Sequence, residues 1–477
     1  MLSRITNYYQ NALKRINPTT LSVQSNRKWD VSFSVLLIIY IITLSYFSIL
    51  KLNTFQTTHD LGIFTQSFWT TIFEGKFFFN NLEFYNNGAF SHFGIHISPI
   101  LILLLPVYAL YPGPDVLLIS QSILYGIGAI PLYVAAKKVI GEQGSLVISL
   151  IYFLYPALLW SNINEFYEIS FLPFLLGFFI YGFVFKKDSL ILSCGIACLM
   201  IKEDISIIII FASILGLFYH KDYSKRTQKI FISLLIISSI WLILAFTIIM
   251  PHFISLSEGI SNNPFLPQYY SSLTNISTGI IPRGEYLFQV FYPLLFLPLI
   301  SPELLILAIP SFAEILLSAT YSDIQYHFTP LIIPPLFFAL IMTLKKIKIK
   351  FKSRIIIYKL LLLVLVVNAI LCCIIFSPLQ QTMGLMYLPE ENHADSDWFR
   401  QGAAFIPPDA VVSTQSNLYS LFADRTTIIE GYSHDPEYIV LHLDFPQCQI
   451  FVDDFTEIAE LYSPVYQKEQ FYVLKRK

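Results

Sequence analysis

Apolar runs long enough to cross a bilayer recur from Trp29 to Phe376, and they constrain this chain more than any other feature. Crossing a hydrocarbon core of ~30 Å takes about 20 helical residues, and within lipid every backbone polar group must find its partner inside the structure. Strands of a membrane barrel alternate polar and apolar residues; these runs do not, so the chain reads as a bundle of membrane helices. A hydrophobic share of 55% and a charged share of 13% over 477 residues agree with that class and depart from the soluble balance. The net charge of -2 gives no sign of nucleic-acid binding. The N-terminus "MLSRITNYYQNALKRINP" stays polar and basic for too long to be the start of a cleaved signal, so the first span is expected to be retained. Cys194, Cys198, Cys372, Cys373 and Cys448 show neither metal-ligand spacing nor a disulfide framework.

Spans are expected near 29–50, 114–136, 143–161, 169–185, 188–201, 204–220, 229–250, 285–301, 302–320, 328–344 and 354–377, about eleven crossings. A further apolar run at 97–114, "ISPILILLLPVYALYPGP", decides the parity of everything after it. If it does not cross, "KRINP", "AAKKVIGEQG", "FKKDS", "HKDYSKRTQK" and "KKIKIKFKSR" all share the side of the N-terminus, as the positive-inside rule asks. Residues 97–112 are therefore read as a re-entrant or interfacial helix, with Pro99, Pro106, Pro112 and Pro114 interrupting it. The expected organisation is a cytoplasmic segment at 1–28, a transmembrane domain at 29–377 whose first external loop is 51–113, and an external α/β domain at 378–477. The protein is expected to sit in the cell membrane with its C-terminal domain outside the cytoplasm.

With that topology the non-cytoplasmic face collects "THDLG", "FSHFGIH", "SNINEFYE", "IKED", the long loop 251–284 with "IPRGEY", and "YSDIQYH". Acidic and histidine-bearing motifs gather on one face, and plain basic clusters on the other.

The segments "HDLGIFTQSFW", "HFGIHISPILILLLPVYALYP", "NEFYEISFLPFLLGFFIYGF", "IKEDISI" and "QYHFTPLIIPPLFFA" resemble an uncharacterised family of archaeal and bacterial membrane proteins, a domain of unknown function. The acidic residue just after the first span, the amphipathic helices of the first external loop and a second acidic residue between the third and fourth crossings resemble the GT-C superfamily of membrane glycosyltransferases. That resemblance implies an all-α GT-C-like bundle and an enzyme, of the inverting kind, that takes a sugar from a polyprenyl-phosphate carrier on the outer face. The acceptor would be a hydroxyl or amide of a glycan, lipid or protein. The sequence departs from the superfamily's better-known branches in lacking a DxD pair and a Lys-Pro-Pro or His-Pro-Pro signature.

A hydroxyl attacking an anomeric carbon is helped by a carboxylate within hydrogen-bond reach, and the resemblance puts that carboxylate at Asp60. Spacing alone offers another reading: Asp60 precedes "LGIFTQSFW", where Leu61, Phe64 and Phe68 recur at helical intervals, and an aspartate there would cap a helix. His59 would orient Asp60 or bond substrate, against a plain solvated histidine, and Glu165 is the second catalytic carboxylate. The phosphate of the leaving group needs a metal or cationic donors. His92 and His96, four apart, with Glu165 and Glu168 available from the next external loop, would suit Mg²⁺, Mn²⁺ or Zn²⁺, the expected metal set being His92, His96 and Glu168. Lys202, Arg283 and His327 are the metal-free alternative, with Tyr326 in the same motif as His327. Lys202, Glu203 and Asp204 interrupt an apolar stretch and read either as site residues or as a tight turn between two short spans. Glu314 is a lone acid expected to face the bundle interior.

After Phe376 the composition becomes soluble, with β-like "AVVST", "TTIIEG" and "YIVLHL", helical "NLYSLFA" and "FTEIAELY", and a last strand in "EQFYVLKRK". No nucleotide-binding glycine fingerprint or nucleophile motif lies there. Two other classes are compatible with embedded charges: a transporter or lipid flippase, and a non-catalytic envelope assembly protein. The halves show no inverted pair of broken helices, and eleven spans exceed what an anchor needs.

Overall fold

The computed structural model describes residues 27–219, 221, 223–254, 280–318, 322–385, 398–451 and 454–477. The expected N-terminal segment lies almost wholly outside the described residues, as does most of the loop 251–284.

Among the described residues five helices are long and apolar enough to cross a membrane: Arg27–Asn53, Pro114–Ile140, Glu168–Phe185, Lys225–Phe253 and Lys352–Phe376. A sixth crossing results if Glu142–Phe153 and Pro156–Ile163, bent by 49° at Pro156, count as one span. The expectation of about eleven is met only in part. Asp188–Leu199 and Ile205–Phe218 are apolar but, at 1.5 Å per residue, roughly 20 Å long. The stretches expected at 285–301 and 302–320 are broken into short pieces at Pro293, Pro298, Pro302 and Pro310, with Leu295 and Phe296 at positive φ between them. Periodicity registers apolar content but not where proline divides a run.

The first long helix is pinned at both ends. Asp30 accepts from Tyr133 Oη at 2.7 Å and pairs with Lys137 at 2.5 Å. Further along, Tyr40 Oη donates to Asn162 Oδ1 at 3.0 Å and Lys51 Nζ to Asn164 Oδ1 at 3.3 Å. Between these points Tyr40 and Leu44 pack into a large core with Tyr152, Tyr155 and Phe337. The outward sides of the long helices carry Ile38, Ile42, Ile236, Ile240, Leu363, Val367 and Ile374 exposed, the surface a lipid-facing helix needs.

Residues Pro99–Leu110 form one short apolar helix of about 18 Å, too short to cross. Its start is anchored by Ile97 N donating to Glu203 Oε2 and Ile100 N donating to Met200 O, both at 2.9 Å, while Leu103, Leu110 and Tyr111 lie exposed. It flanks a second core, in which Leu61, Phe64 and Phe68 of the first loop meet Phe78, Phe93, Tyr108 and Phe166.

The C-terminal domain carries a five-stranded sheet of order β2-β1-β3-β5-β4, with β1 Val412–Thr414, β2 Ile428–Glu430, β3 Tyr438–His442, β4 Tyr462–Lys468 and β5 Phe471–Arg476. β1 pairs parallel with β2 and β3; β5 runs antiparallel to β3 and β4. The helix Ser416–Tyr419 after β1 packs Leu418 and Tyr419 against Phe55, Ile63 and Leu82 of the first loop. Gly62 makes this approach possible: a Cβ there would stand 3.2 Å from the Ser420 Cα and strike the Tyr419 ring.

Helices that leave the loop region end on basic residues: Lys137 and Lys138, Lys186 and Lys187, and Lys345 to Lys352. Sidedness follows from that charge distribution. In a background lacking the half-buried Cys448, Asn86→Cys and Glu437→Cys, both exposed, are expected to react with an impermeant thiol reagent on intact cells. Arg226→Cys and Ile349→Cys, also exposed, are expected to react only after lysis. The reverse pattern would invert the orientation.

Candidate active site

The helix His59–Trp69 starts at Thr58, whose backbone is extended at φ -116° and whose Oγ1 accepts from Asp60 N at 3.3 Å. Thr58 is thus the N-cap, which removes the capping reading of Asp60. Glu165, from the loop after Pro156–Ile163, closes the same helix end. Its carboxylate accepts from Thr58 N at 2.5 Å, Thr58 Oγ1 at 2.9 Å and Leu61 N at 2.9 Å. A buried carboxylate on unsatisfied N-terminal amides is a stable arrangement. Burial, with Asp60 close by, raises the Glu165 pKa despite those donors. Glu165 holds the helix in place; Asp60, one residue into it, is left on the open side.

There Asp60 faces a cavity of about 670 Å³. Its Oδ2 accepts from Tyr167 Oη at 2.6 Å, and its Oδ1 lies 3.4 Å from His59 Nε2. The Tyr167 ring stacks on His327, centroids 3.7 Å apart, which fixes the hydroxyl against the carboxylate. Burial, with Lys202 and His96 near, pushes the His327 pKa well down, so this imidazole is neutral.

His92 and His96 lie on one turn: Ser91 caps it, and His92 O accepts from Ile95 N and His96 N at 2.9 and 2.8 Å. The two rings stand 5.9 Å apart, each held through Nδ1 by a buried carboxylate, Glu83 Oε1 at 2.8 Å for His92 and Glu203 Oε1 at 3.0 Å for His96. His92 is 3% exposed and its Nε2 has no partner in the protein. A carboxylate on one imidazole nitrogen fixes the ring and leaves the other for a ligand. Lys202 is buried beside Asp204, 3.5 Å away, with its ammonium 5.4 Å from the Phe328 ring centroid.

Of the residues expected from sequence, His59, Asp60, His92, His96, Glu165, Glu168, Lys202, Tyr326 and His327 line this one cavity. Glu203 and Asp204 do not line it; both sit in a tight turn between helices, where Glu203 orients His96. Arg283 is not in the wall either: its Nε donates to Leu316 O at 2.6 Å, because the helix Ile280–Phe291 packs its start elsewhere. Among the described residues no three His, Cys, Asp or Glu side chains come together as a set able to hold a metal ion. His92, His96 and Glu168 line the same cavity without converging as such a set. Tyr167, Glu83, Lys51 and Glu430 escaped the sequence reading. Tyr167 was visible, flanked by Glu165 and Glu168 in "NEFYE"; Glu83 and Glu430 reach the site only through tertiary contacts.

A polar cavity framed by loops at one end of an apolar helical bundle, with a small α/β domain docked beside it, defines a multi-pass membrane protein with a built site. A family model described as "Predicted membrane protein (DUF2079)" matches residues 50–469, and the chain belongs to that family. No curated protein matches it. Among solved structures it is similar to ArnT from Cupriavidus metallidurans bound to undecaprenyl phosphate, with a TM-score of 0.55 and 11% identity over 92% of this chain and 97% of that one. At that identity the likeness is one of fold alone.

The Glu83–His92 pair gives a pH signature. Burial works to raise the Glu83 pKa, but His92 and then Asn80 outweigh it and hold the carboxyl below its usual range. Burial likewise works to lower the His92 pKa, and Glu83, with Glu168 and Glu203 behind it, raises it instead. The depressed acid stabilises the fold above the usual carboxylate pKa and stops doing so as pH falls through its folded value. The raised histidine contributes fully below the usual imidazole pKa, and that contribution fades as pH rises through its folded value. Glu83→Gln is expected to cost roughly 1 to 3 kcal/mol near pH ~6 and clearly less near pH ~10, read from denaturation in detergent at the two pH values.

Proposed function

We propose that this protein is a membrane glycosyltransferase that moves a sugar from a polyprenyl-phosphate donor to an acceptor hydroxyl or amide on the outer face of the membrane. The observation that carries the reading is the Asp60 carboxylate, set on the cavity wall by Thr58, Glu165 and Tyr167, in a cavity that also holds His92, His96 and Lys202. The fold it shares with a protein crystallised with undecaprenyl phosphate supports a lipid-phosphate ligand.

The chemistry is a single displacement. The acceptor oxygen or nitrogen attacks the anomeric carbon as Asp60 takes its proton, and the bond from that carbon to the phosphate oxygen breaks. The polyprenyl phosphate leaves with the bonding electrons, and the anomeric centre inverts. His92, His96 and Lys202 meet the departing phosphate: His92 through Nε2, His96 from the cavity wall, the lysine as a buried charge. Tyr167 holds one Asp60 oxygen, leaving the carboxylate a single orientation toward the acceptor.

Asp60→Asn tests the assignment cleanly because Thr58, not Asp60, caps the helix. The variant is expected to fold normally, bind donor and transfer about 10² to 10⁴ times more slowly. His92→Gln and Lys202→Met are expected to weaken donor binding about 10- to 100-fold, the worth of a charge-assisted hydrogen bond. The measurement is transfer of radiolabelled sugar from polyprenyl-phosphate donors by purified protein in lipid nanodiscs. Asp60→Asn working at the wild-type rate would remove the catalytic role.

A further inference from the structure

One wall residue of the cavity, His59, is held from outside the membrane domain. His59 Nδ1 stands 3.0 Å from Glu430 Oε1, and His59 N donates to Ser416 Oγ at 3.2 Å. Glu430 is the last residue of β2 and Ser416 opens the helix after β1, so both belong to the C-terminal domain. We propose that this domain is part of the reaction site, with Glu430 as a positioning residue that turns the His59 imidazole so that Nε2 faces Asp60. The inference rests on Asp60 as the reacting carboxylate.

The geometry leaves the ring little choice. Glu430 accepts a hydrogen bond from Nδ1–H, and the opposite nitrogen then lies 3.4 Å from Asp60 Oδ1. Tyr167 donates to Oδ2 and the His59 ring stands beside Oδ1, so both oxygens of Asp60 are faced and the plane of the carboxylate is set. Glu430 is itself held. β2 pairs with β1 through Glu430 and Thr414, and the β2 amide of Ile428 donates to Asn81 Oδ1 of the first loop at 3.0 Å. The groups facing His59 are Glu430 from β2, the Ser416 hydroxyl, Asp60 from its own helix and Glu165 from the adjoining loop, with Lys51 beyond Glu165. Three carboxylates outnumber the one cation. Burial works to lower the His59 pKa, and Glu430, then Asp60 and Glu165, raise it. The imidazole thus keeps its second proton in a range where an unpaired histidine would lose it, and donates to both neighbours at once.

The test separates this from the reaction itself. Full-length protein with ¹⁵N-labelled histidine, in nanodiscs without donor, is titrated by NMR, the His59 signal being assigned with His59→Gln. Glu430→Gln is expected to lower the His59 pKa by about one unit or more, and Glu430→Asp, which keeps the charge, to restore most of the shift. An unchanged His59 titration in Glu430→Gln overturns the proposal whatever the enzyme's substrate is. With a polyprenyl-phosphate sugar as donor, Glu430→Gln is expected to lower kcat about 10-fold at nearly constant KM. The alkaline limb of kcat should move to lower pH by the amount seen by NMR. A shifted titration with unchanged kcat overturns the positioning role. Absence of transfer by the wild-type protein would instead overturn the glycosyltransferase reading, leaving the NMR result to stand on its own. Should Glu430→Gln not fold, a titration in Glu430→Asp identical to that of His59 exposed in a denatured control overturns the proposal.

Discussion

One carboxylate fixes the frame in which everything else at the site is arranged. Glu165 sits under the free amides of the His59–Trp69 helix, 104 residues from the Leu61 nitrogen it accepts from. Its own backbone is held by Gln121, whose Nε2 donates to Glu165 O at 2.5 Å while its Oε1 accepts from Tyr167 N at 2.8 Å. A single side chain of the Pro114–Ile140 helix therefore places both Glu165, which sets the position of Asp60, and Tyr167, which sets its orientation. Loss of either amide contact would free a loop and a helix end at once, because buried polar groups without partners are costly.

The histidines of the cavity follow a common plan. His59, His92 and His96 each bond a carboxylate through Nδ1, and the carboxylate comes each time from a different part of the chain: the C-terminal sheet, the first loop and the turn before Ile205. His327 breaks the plan. It has an aromatic ring rather than an acid as neighbour, and it is neutral. The cavity thus contains proton donors and a neutral stacking imidazole side by side, separated by nothing more than what each ring rests on. Such a division suits a site that must accept a proton at one place and meet phosphate charge at another.

The sequence disclosed the class, the membrane helices with the highest apolar content, and nine residues of the cavity wall. It did so because embedded charge is costly, so that polar residues in "THDLG", "SNINEFYE", "IKED" and "YSDIQYH" had to have a common place. What stayed hidden was of two kinds. Proline-broken pieces between 292 and 317 look apolar enough to span, since hydropathy carries no length information across a kink. Partnerships across long separations left no local trace: nothing near Glu83 or Glu430 marks them as supports for His92 and His59, and Arg283 looked as suitable as Lys202. Thr58 was the nearer miss. A threonine before an apolar periodicity is as good a helix start as the aspartate two residues on.

The contact between His59 and Glu430 spans 371 residues, almost the whole chain. Synthesis runs from the first helix to the last strand, so the His59–Asp60 pair emerges early and waits, with its supporting acid still to be translated. The β2 edge that Asn81 covers is likewise exposed until the domain reaches the first loop. The site is therefore complete only once β2 has been made and docked. A truncated or stalled chain, even one with every membrane helix inserted, carries an unorientated histidine and a loop with an uncovered apolar face. Quality control that recognises exposed apolar surface would see such a chain as unfinished.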